Sequence, residues 1–224
     1  MNPKLAAAIE AVKFIKNGQV IGLGSGSTAE LAILELGKKI QTEQMHIIGI
    51  PTSKRSEAVA KGAGIPLSSL DEHDVIDVTI DGADEVDPNL NLIKGLGGAL
   101  LREKLVATAT HKEVIVVDES KWVEHLGIKA PVPVEVIQFS RAYLGRRLSE
   151  LGCIPKLRLK DEEPFVTDNG NHILDCSFQN GIMDAKELNA KLRAIPGVVE
   201  TGLFIAIADT VITGSSSGVK IVSR

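Results

Sequence analysis

Four short runs of apolar, mostly β-branched residues, Gln19–Leu23, His46–Ile50, Val75–Ile80 and Glu113–Asp118, alternate with helical patterns as far as His125. Strands buried on both faces read as continuous apolar runs, and their alternation with helices predicts an α/β fold. The expected architecture is a Rossmann-like, mostly parallel sheet with helices on both faces. In such open sheets, ligands bind beyond the carboxyl ends of the strands. Those ends carry Ser25–Thr28, Thr52-Ser53, Asp81–Asp84 and Asp118–Lys121. Polar chemistry therefore gathers along one edge.

The first strand leads into Gly22-Leu23-Gly24-Ser25-Gly26-Ser27-Thr28. A helix is expected over Ala29–Leu36, with Ser27 and Glu30 at capping-box spacing and Gly37 as its stop. Strand, glycine-rich turn and helix amino terminus together favour a bound anion, because backbone N–H groups and the helix dipole both point at it. A tight turn into a capped helix explains the same residues without any ligand. The turn does not fit a dinucleotide, because Ser27 stands where the third glycine belongs and no acidic residue ends the second strand. No Gly-Lys-Ser/Thr follows, so it is not a nucleotide P-loop. Crowded hydroxyls suit a single phosphate.

Upstream, Leu5, Ala8, Ile9, Val12 and Ile15 fall at helical spacing, predicting a helix that runs to Asn17-Gly18 rather than a signal peptide. Downstream, Ser53 is placed to cap a helix over Lys54–Lys61, Ile65–Leu67 reads as a brief strand, and Glu119–Leu126 as a helix. The texture changes at Pro131-Val132-Pro133. Residues 131–202 predict a smaller α+β domain of split βαβ, ferredoxin-like type. Its helices are expected over Ser140–Leu151 and Ala185–Ala194, with a hairpin around Asp168-Asn169-Gly170-Asn171. Residues 203–224 return to the first domain, giving expected domains of 1–130 with 203–224, and 131–202.

Composition removes several function classes. Aromatic residues are 3% of the chain, too few for base-stacking platforms, and the net charge of −4 offers no general attraction to nucleic acid or anionic membrane. No apolar run approaches the ~20 residues of a membrane span. Cys153 and Cys176 form no CxxC and read as buried reduced thiols in a cytoplasmic protein.

The densest chemistry lies between Thr79 and Leu105. Carboxylates at Asp81, Asp84, Glu85 and Asp87 precede a lone Lys94, the turn Gly95-Leu96-Gly97-Gly98, and a helical segment carrying Arg102, Glu103 and Lys104. A calcium loop is not expected, since neither the D-x-D-x-D-G core nor the terminal glutamate is present. The histidines at 46, 73, 111, 125 and 172 show no metal-ligand spacing and read as surface or capping residues. No G-x-S-x-G elbow occurs, and neither cysteine has a catalytic partner in sequence. Metal-free acid–base chemistry remains. Periodicity points away from Glu103, because Leu101, Leu105 and Thr108 share a helix face from which Glu103 turns, the pattern of a surface glutamate.

These motifs, taken in order, resemble ribose-5-phosphate isomerase of the A type almost from end to end. The resemblance is carried by Gly22–Thr28, Asp81-Gly82-Ala83-Asp84-Glu85, Leu92-Ile93-Lys94-Gly95, Leu100-Leu101-Arg102-Glu103-Lys104, Asp118-Glu119-Ser120-Lys121 and Pro131-Val132-Pro133-Val134-Glu135. Two departures stand out: the usual three-glycine run after the lysine is Gly95-Leu96-Gly97, and the usual threonine before Arg102 is Leu101. The resemblance implies metal- and cofactor-free interconversion of ribose 5-phosphate and ribulose 5-phosphate through an enediolate. It nominates Glu103 as the base, Lys94 at the developing oxyanion, and Asp81 and Asp84 on the sugar hydroxyls and ring opening. It further implies substrate contacts from Ser25, Gly26, Ser27, Thr28, Gly82, Ala83, Gly95, Leu96, Gly97 and Lys121, with Lys4 adding a phosphate contact. The partner implied is a small sugar phosphate, not nucleic acid or membrane, bound by a homodimer or homotetramer. Two other classes compete: a sugar-phosphate-sensing regulatory domain without catalysis, and an NAD(P)-dependent oxidoreductase, the latter weakened by the missing fingerprint.

Overall fold

A computed structural model of the chain describes residues 2–224. In chain order the elements begin with α1 (Pro3–Val12), β1 (Val20–Leu23), α2 (Ser27–Glu43), β2 (Ile48–Pro51), α3 (Lys54–Gly62) and β3 (Ile76–Gly82). Next come β4 (Glu85–Val86), β5 (Leu92–Ile93), α4 (Leu100–Thr108), β6 (Thr110–Asp118), β7 (Val132–Val136), α5 (Arg141–Ser149) and β8 (Ile154–Leu157). The remainder are β9 (Leu159–Lys160), β10 (Glu163–Pro164), β11 (His172–Ser177), α6 (Ala185–Arg193), β12 (Val198–Thr201), β13 (Leu203–Phe204), β14 (Thr210–Ser215) and β15 (Gly218–Ser223). They form two compact units. Of the described residues, one comprises 2–83, 102–121 and 207–224, and the other 84–101 and 122–206.

The first unit is a six-stranded sheet in the order β15-β14-β6-β3-β1-β2. All neighbours are parallel except the terminal hairpin of β14 and β15, so the expected α/β sheet is present. Its core is almost wholly aliphatic: Ala7, Ala8 and Ala11 of α1 and Ile33 and Leu36 of α2 pack in one cluster with Val78, Ile80, Val114, Val116 and Ile212. Small alanines let α1 lie close to the sheet. At Gly214 the approach is so near that an added Cβ would sit 1.8 Å from the carbonyl oxygen of Pro3.

Several local expectations fail for identifiable reasons. Helix α1 ends at Val12 rather than near Asn17, and its buried stripe is Ala7, Ala8, Ala11 and Val12 while Ile9 is exposed. Helix α2 runs through Gly37 to Glu43, ending on left-handed Gln44. Gly37 is a packing residue, since a Cβ there would meet the Ala63 carbonyl at 2.7 Å. The Ser27–Glu30 capping box does not form either, because Gly26 takes the N-cap position without a side-chain bond. Ser53 does cap α3, through a reciprocal pair of bonds with Ser56. Residues 65–67 make only an isolated bridge, Leu67 to Gly49. After β6 the chain forms a single 3₁₀ turn, Glu119–Lys121, in place of a longer helix.

The second unit holds the motif β7-α5-β8-β11-α6-β12. Its strand order is β12-β7-β11-β8 with every neighbour antiparallel, the ferredoxin-like arrangement. Val132, Val134 and Val136 pack on Leu144 and Leu148 of α5 and on Leu188 and Leu192 of α6. Cys153 and Cys176 are buried there as free thiols. The expected hairpin around Asp168–Asn171 is absent: β10 pairs with β9, while β11 pairs with β7 and β8. That loop closes on itself, with the Thr167 amide donating to the Asn171 carbonyl at 2.9 Å. Buried Glu135 accepts from the Thr167 hydroxyl and the Asn171 side chain, both at 2.9 Å. His172 is also buried, not a surface histidine, and burial together with the Arg141 charge pushes its pKa down. A small sheet, β13-β5-β4, completes this unit.

Side chains close tightly over β1 at Gly22, where an added Cβ would fall 1.9 Å from Thr79 Oγ1 and 2.8 Å from Val106 Cγ1. Gly22→Ala is expected to lower stability by about 1–3 kcal/mol, the scale of overpacking a filled core. An unchanged urea midpoint in that variant would show that the strands can separate without cost.

Candidate active site

In the first unit the strand ends form a continuous polar edge. Asp81, fully buried at the end of β3, accepts the Ser25 amide at 2.9 Å and the Gly82 amide at 2.7 Å on the same oxygen. Gly24 makes this possible, since a Cβ there would lie 2.4 Å from the Asp81 Cα. The Ser25 hydroxyl meets Thr52 Oγ1 and Ser53 Oγ, each at 2.7 Å, joining the ends of β1 and β2. Gly26 adopts a positive φ of 93°, turning the chain into α2.

Released from capping, the Ser27 hydroxyl instead accepts a hydrogen bond from Lys4 Nζ at 3.0 Å. Asp118, at the end of β6, extends the same charge cluster. Burial opposes its ionisation, but hydrogen bonds from Ser120 and the charges of Lys121 and Lys4 hold its carboxyl below the usual carboxylate range. Two lysines, a hydroxyl-rich turn and the first turn of a 17-residue helix therefore gather on this unit, an arrangement suited to a phosphate group.

Glu103 is where sequence periodicity fails most clearly. The residues of α4 that turn inward are Leu100, Glu103, Lys104, Val106 and Ala107, whereas Leu105 is 50% exposed. Glu103 itself is 4% exposed. The helix is turned so that charged residues occupy its inner face, and apolar spacing cannot report such an orientation. Burying a carboxylate is costly unless it is compensated, so a glutamate kept inside a helix face marks a functional candidate.

In the second unit, Lys94 is 1% exposed. It follows β5 with its amide on the Gly202 carbonyl at 2.9 Å and its ammonium 5.4 Å from the centre of the Phe204 ring. Asp84 donates its amide to the Ile93 carbonyl at 2.8 Å, and its Oδ2 accepts the Leu96 amide at 2.9 Å. The departure at Leu96 is accommodated locally: Gly95 and Gly98 take the positive-φ positions of the turn, Leu96 does not, and its side chain is 41% exposed. The neighbouring acidic residues have structural roles. Glu85 accepts the amides of Gly127, Lys129 and Ala130 at 2.5, 2.6 and 2.7 Å. Asp87 accepts the amides of Asn89 and Asn91, both at 2.8 Å. Among the described residues, no group of three His, Cys, Asp or Glu side chains is arranged to hold a metal ion.

An α/β sheet whose strand ends carry a buried carboxylate and a hydroxyl-rich turn flanked by lysines belongs to the class of open α/β folds that bind small ligands at that edge. The comparisons with known proteins narrow it. Residues 48–218 match the family described as ribose 5-phosphate isomerase A (phosphoriboisomerase A). The chain is 50% identical over 220 residues to ribose-5-phosphate isomerase A of Bacillus mycoides, covering 98% of this chain and 99% of that protein. The solved ribose 5-phosphate isomerase A of Methanocaldococcus jannaschii superposes with a TM-score of 0.95 at 46% identity, covering 100% of this chain and 99% of that one. A D-ribose-5-phosphate isomerase solved in complex with phospho-erythronic acid gives a TM-score of 0.97 at 45% identity, with both chains fully covered. The chain belongs to the ribose-5-phosphate isomerase A family.

Glu85 separates structure from chemistry within the acidic motif. Its carboxylate satisfies three backbone amides, so Glu85→Ala is expected to cost about 1–3 kcal/mol for each donor left buried and unsatisfied. A large fall in the thermal midpoint is the expected reading, and an unchanged midpoint would deny Glu85 this structural role.

Proposed function

We propose that this chain interconverts D-ribose 5-phosphate and D-ribulose 5-phosphate by proton transfer through an enediolate, with Glu103 as the base. The observation that carries the activity is the end-to-end match, at about half identity, to ribose-5-phosphate isomerase A. Burial of Glu103 and Lys94, two side chains that ordinarily stay in water, supports their nomination.

Glu103 removes the proton from C2 of the open-chain aldose. Electrons move to the C1 carbonyl oxygen, giving the enediolate; a proton passes from O2 to O1, and the proton held by Glu103 returns at C1 as the C2–O2 carbonyl forms, yielding the ketose. The charge that develops on oxygen is met by Lys94, which lies in a dry environment where an ammonium is worth more than in water. Asp81 and Asp84 hold sugar hydroxyls and assist ring opening. Asp81 is suited to this by the two backbone amides that fix its carboxylate. Ser25–Thr28, Lys4 and Lys121 receive the phosphate, a role supported by the Lys4–Ser27 hydrogen bond and by the two lysines' pull on Asp118. The phospho-erythronic acid bound by a solved relative has a phosphate at one end and a planar, two-oxygen anion at the other, a shape that matches an enediolate phosphate. No cofactor enters this scheme. The family reading also implies a cytoplasmic homodimer or homotetramer, to be measured by sedimentation.

The deciding assay follows ribose 5-phosphate conversion with a chelator present, comparing wild type with Glu103→Gln. The variant is expected to lose about 10²- to 10⁴-fold in kcat, the scale of a lost general acid–base group. Wild-type turnover in Glu103→Gln removes that residue from the role, and substrate binding without turnover by the wild type would mark a sensing domain instead. Lys94→Ala is expected to cost about 3 kcal/mol of transition-state stabilisation, as for a lost oxyanion donor. A change confined to KM would make Lys94 a binding group.

A further inference from the structure

The turn after Lys94 is gripped from behind by an arginine far along the chain. Arg158, just beyond β8, donates from Nη1 to the carbonyls of Gly95 and Leu96 at 2.8 and 2.9 Å. Its Nε donates to Asp175 Oδ2 at 2.9 Å and its Nη2 to Asp175 Oδ1, a bidentate pair on β11. The Arg158 amide is itself fixed to the Ile173 carbonyl at 2.9 Å. Phe165 lies with its ring centre 6.0 Å from the guanidinium, and its Cζ would be 2.4 Å from a Cβ placed on Gly98. The turn is thus held at both ends by residues of the ferredoxin-like sheet and the loop beside it.

One of these bonds bears on the chemistry. The Gly95 carbonyl held by Arg158 and the Leu96 amide that donates to Asp84 belong to the same peptide unit. A trans peptide is planar and rigid, so its two polar groups point in opposite directions and move together. Holding the carbonyl on one side therefore aims the amide at Asp84 on the other. A charged donor on that carbonyl also polarises the amide and strengthens the bond it gives. Gly95, at a φ of 96°, is a residue about which this peptide could otherwise swing.

We infer that Arg158, locked by Asp175, is a positioning residue that orients Asp84 through the Gly95–Leu96 peptide. The assignment rests on the reading that Asp84 acts on substrate. Lysine cannot replace the arginine fully, because a point charge does not span two carbonyls and two carboxylate oxygens at once.

A double-mutant cycle with ribose 5-phosphate as substrate tests this, using Arg158→Met, Asp84→Asn and the combined variant, each checked for its melting midpoint. Arg158→Met is expected to lower kcat/KM by about 10- to 100-fold, the scale on which groups that orient a functional side chain act, chiefly through kcat. Arg158→Lys is expected to recover part of that loss. In the Asp84→Asn background, removing Arg158 is expected to change kcat/KM by no more than about twofold, since the group it aims is already disabled. Losses that multiply across the two sites would overturn the assignment while leaving Asp84 in the site, and so would wild-type kinetics in folded Arg158→Met. Wild-type turnover in Asp84→Asn is a different result: it removes Asp84 from the site, and this assignment with it. Should Arg158→Met not fold, the same cycle is read with Arg158→Lys, where unchanged kinetics again overturns the assignment.

Discussion

The buried carboxylate of Asp81 is the pin of the first unit. One of its oxygens takes the amides of Ser25 and Gly82, so a strand end and the neighbouring turn are fixed by a single acceptor. Gly24 allows that approach, and the Ser25 hydroxyl passes it on to Thr52 and Ser53 at the next strand. A parallel sheet sets its strand ends side by side but does not set the turns that leave them. Here a charged acceptor aimed at backbone donors does that, and charge-assisted bonds of this kind are roughly twice as strong as neutral ones. The position of Ser27, and through it the seat of Lys4, follows from the same constraint.

The fold was legible because its strands are all of one kind. Continuous Val and Ile runs announce a doubly covered sheet, and the observed order β15-β14-β6-β3-β1-β2 agrees with it. The ferredoxin-like unit was legible from the succession of its elements, although a Asn-Gly turn suggested a hairpin where Glu135 instead gathers a closed loop. Errors concentrated where a side chain had a use other than the local one. Ser27 has capping spacing but bonds Lys4. Gly37 has the look of a helix stop but lies against Ala63, and the helix continues past it.

The candidate site divides along the same line. The hydroxyl-rich turn and the carboxylates could be placed from spacing, because they sit at strand ends. Glu103 could not, since periodicity assumes that the inner face of a helix is apolar, and α4 puts Glu103 and Lys104 inside while Leu105 faces water. Only the sequence motif around it singled it out. Arg158 carried no local signal at all: its partners in the glycine turn are 62 and 63 positions away, and no spacing rule links them.

The contact between Gly214 and Pro3 has a consequence for synthesis. Helix α1 is made well before the strand against which its opening residues rest. Until β14 is complete, the end of α1 that carries Lys4 has only part of its seat. A ribosome-bound chain, with residues 84–101 and 122–206 already made, holds the sequence of the whole second unit while the first still lacks its closing hairpin. The lysine that reaches Ser27 thus rests on a helix whose packing is completed only by residues about two hundred positions downstream, and a nascent chain halted before them has Glu103 in sequence but an unfinished floor beneath the Gly24–Thr28 turn.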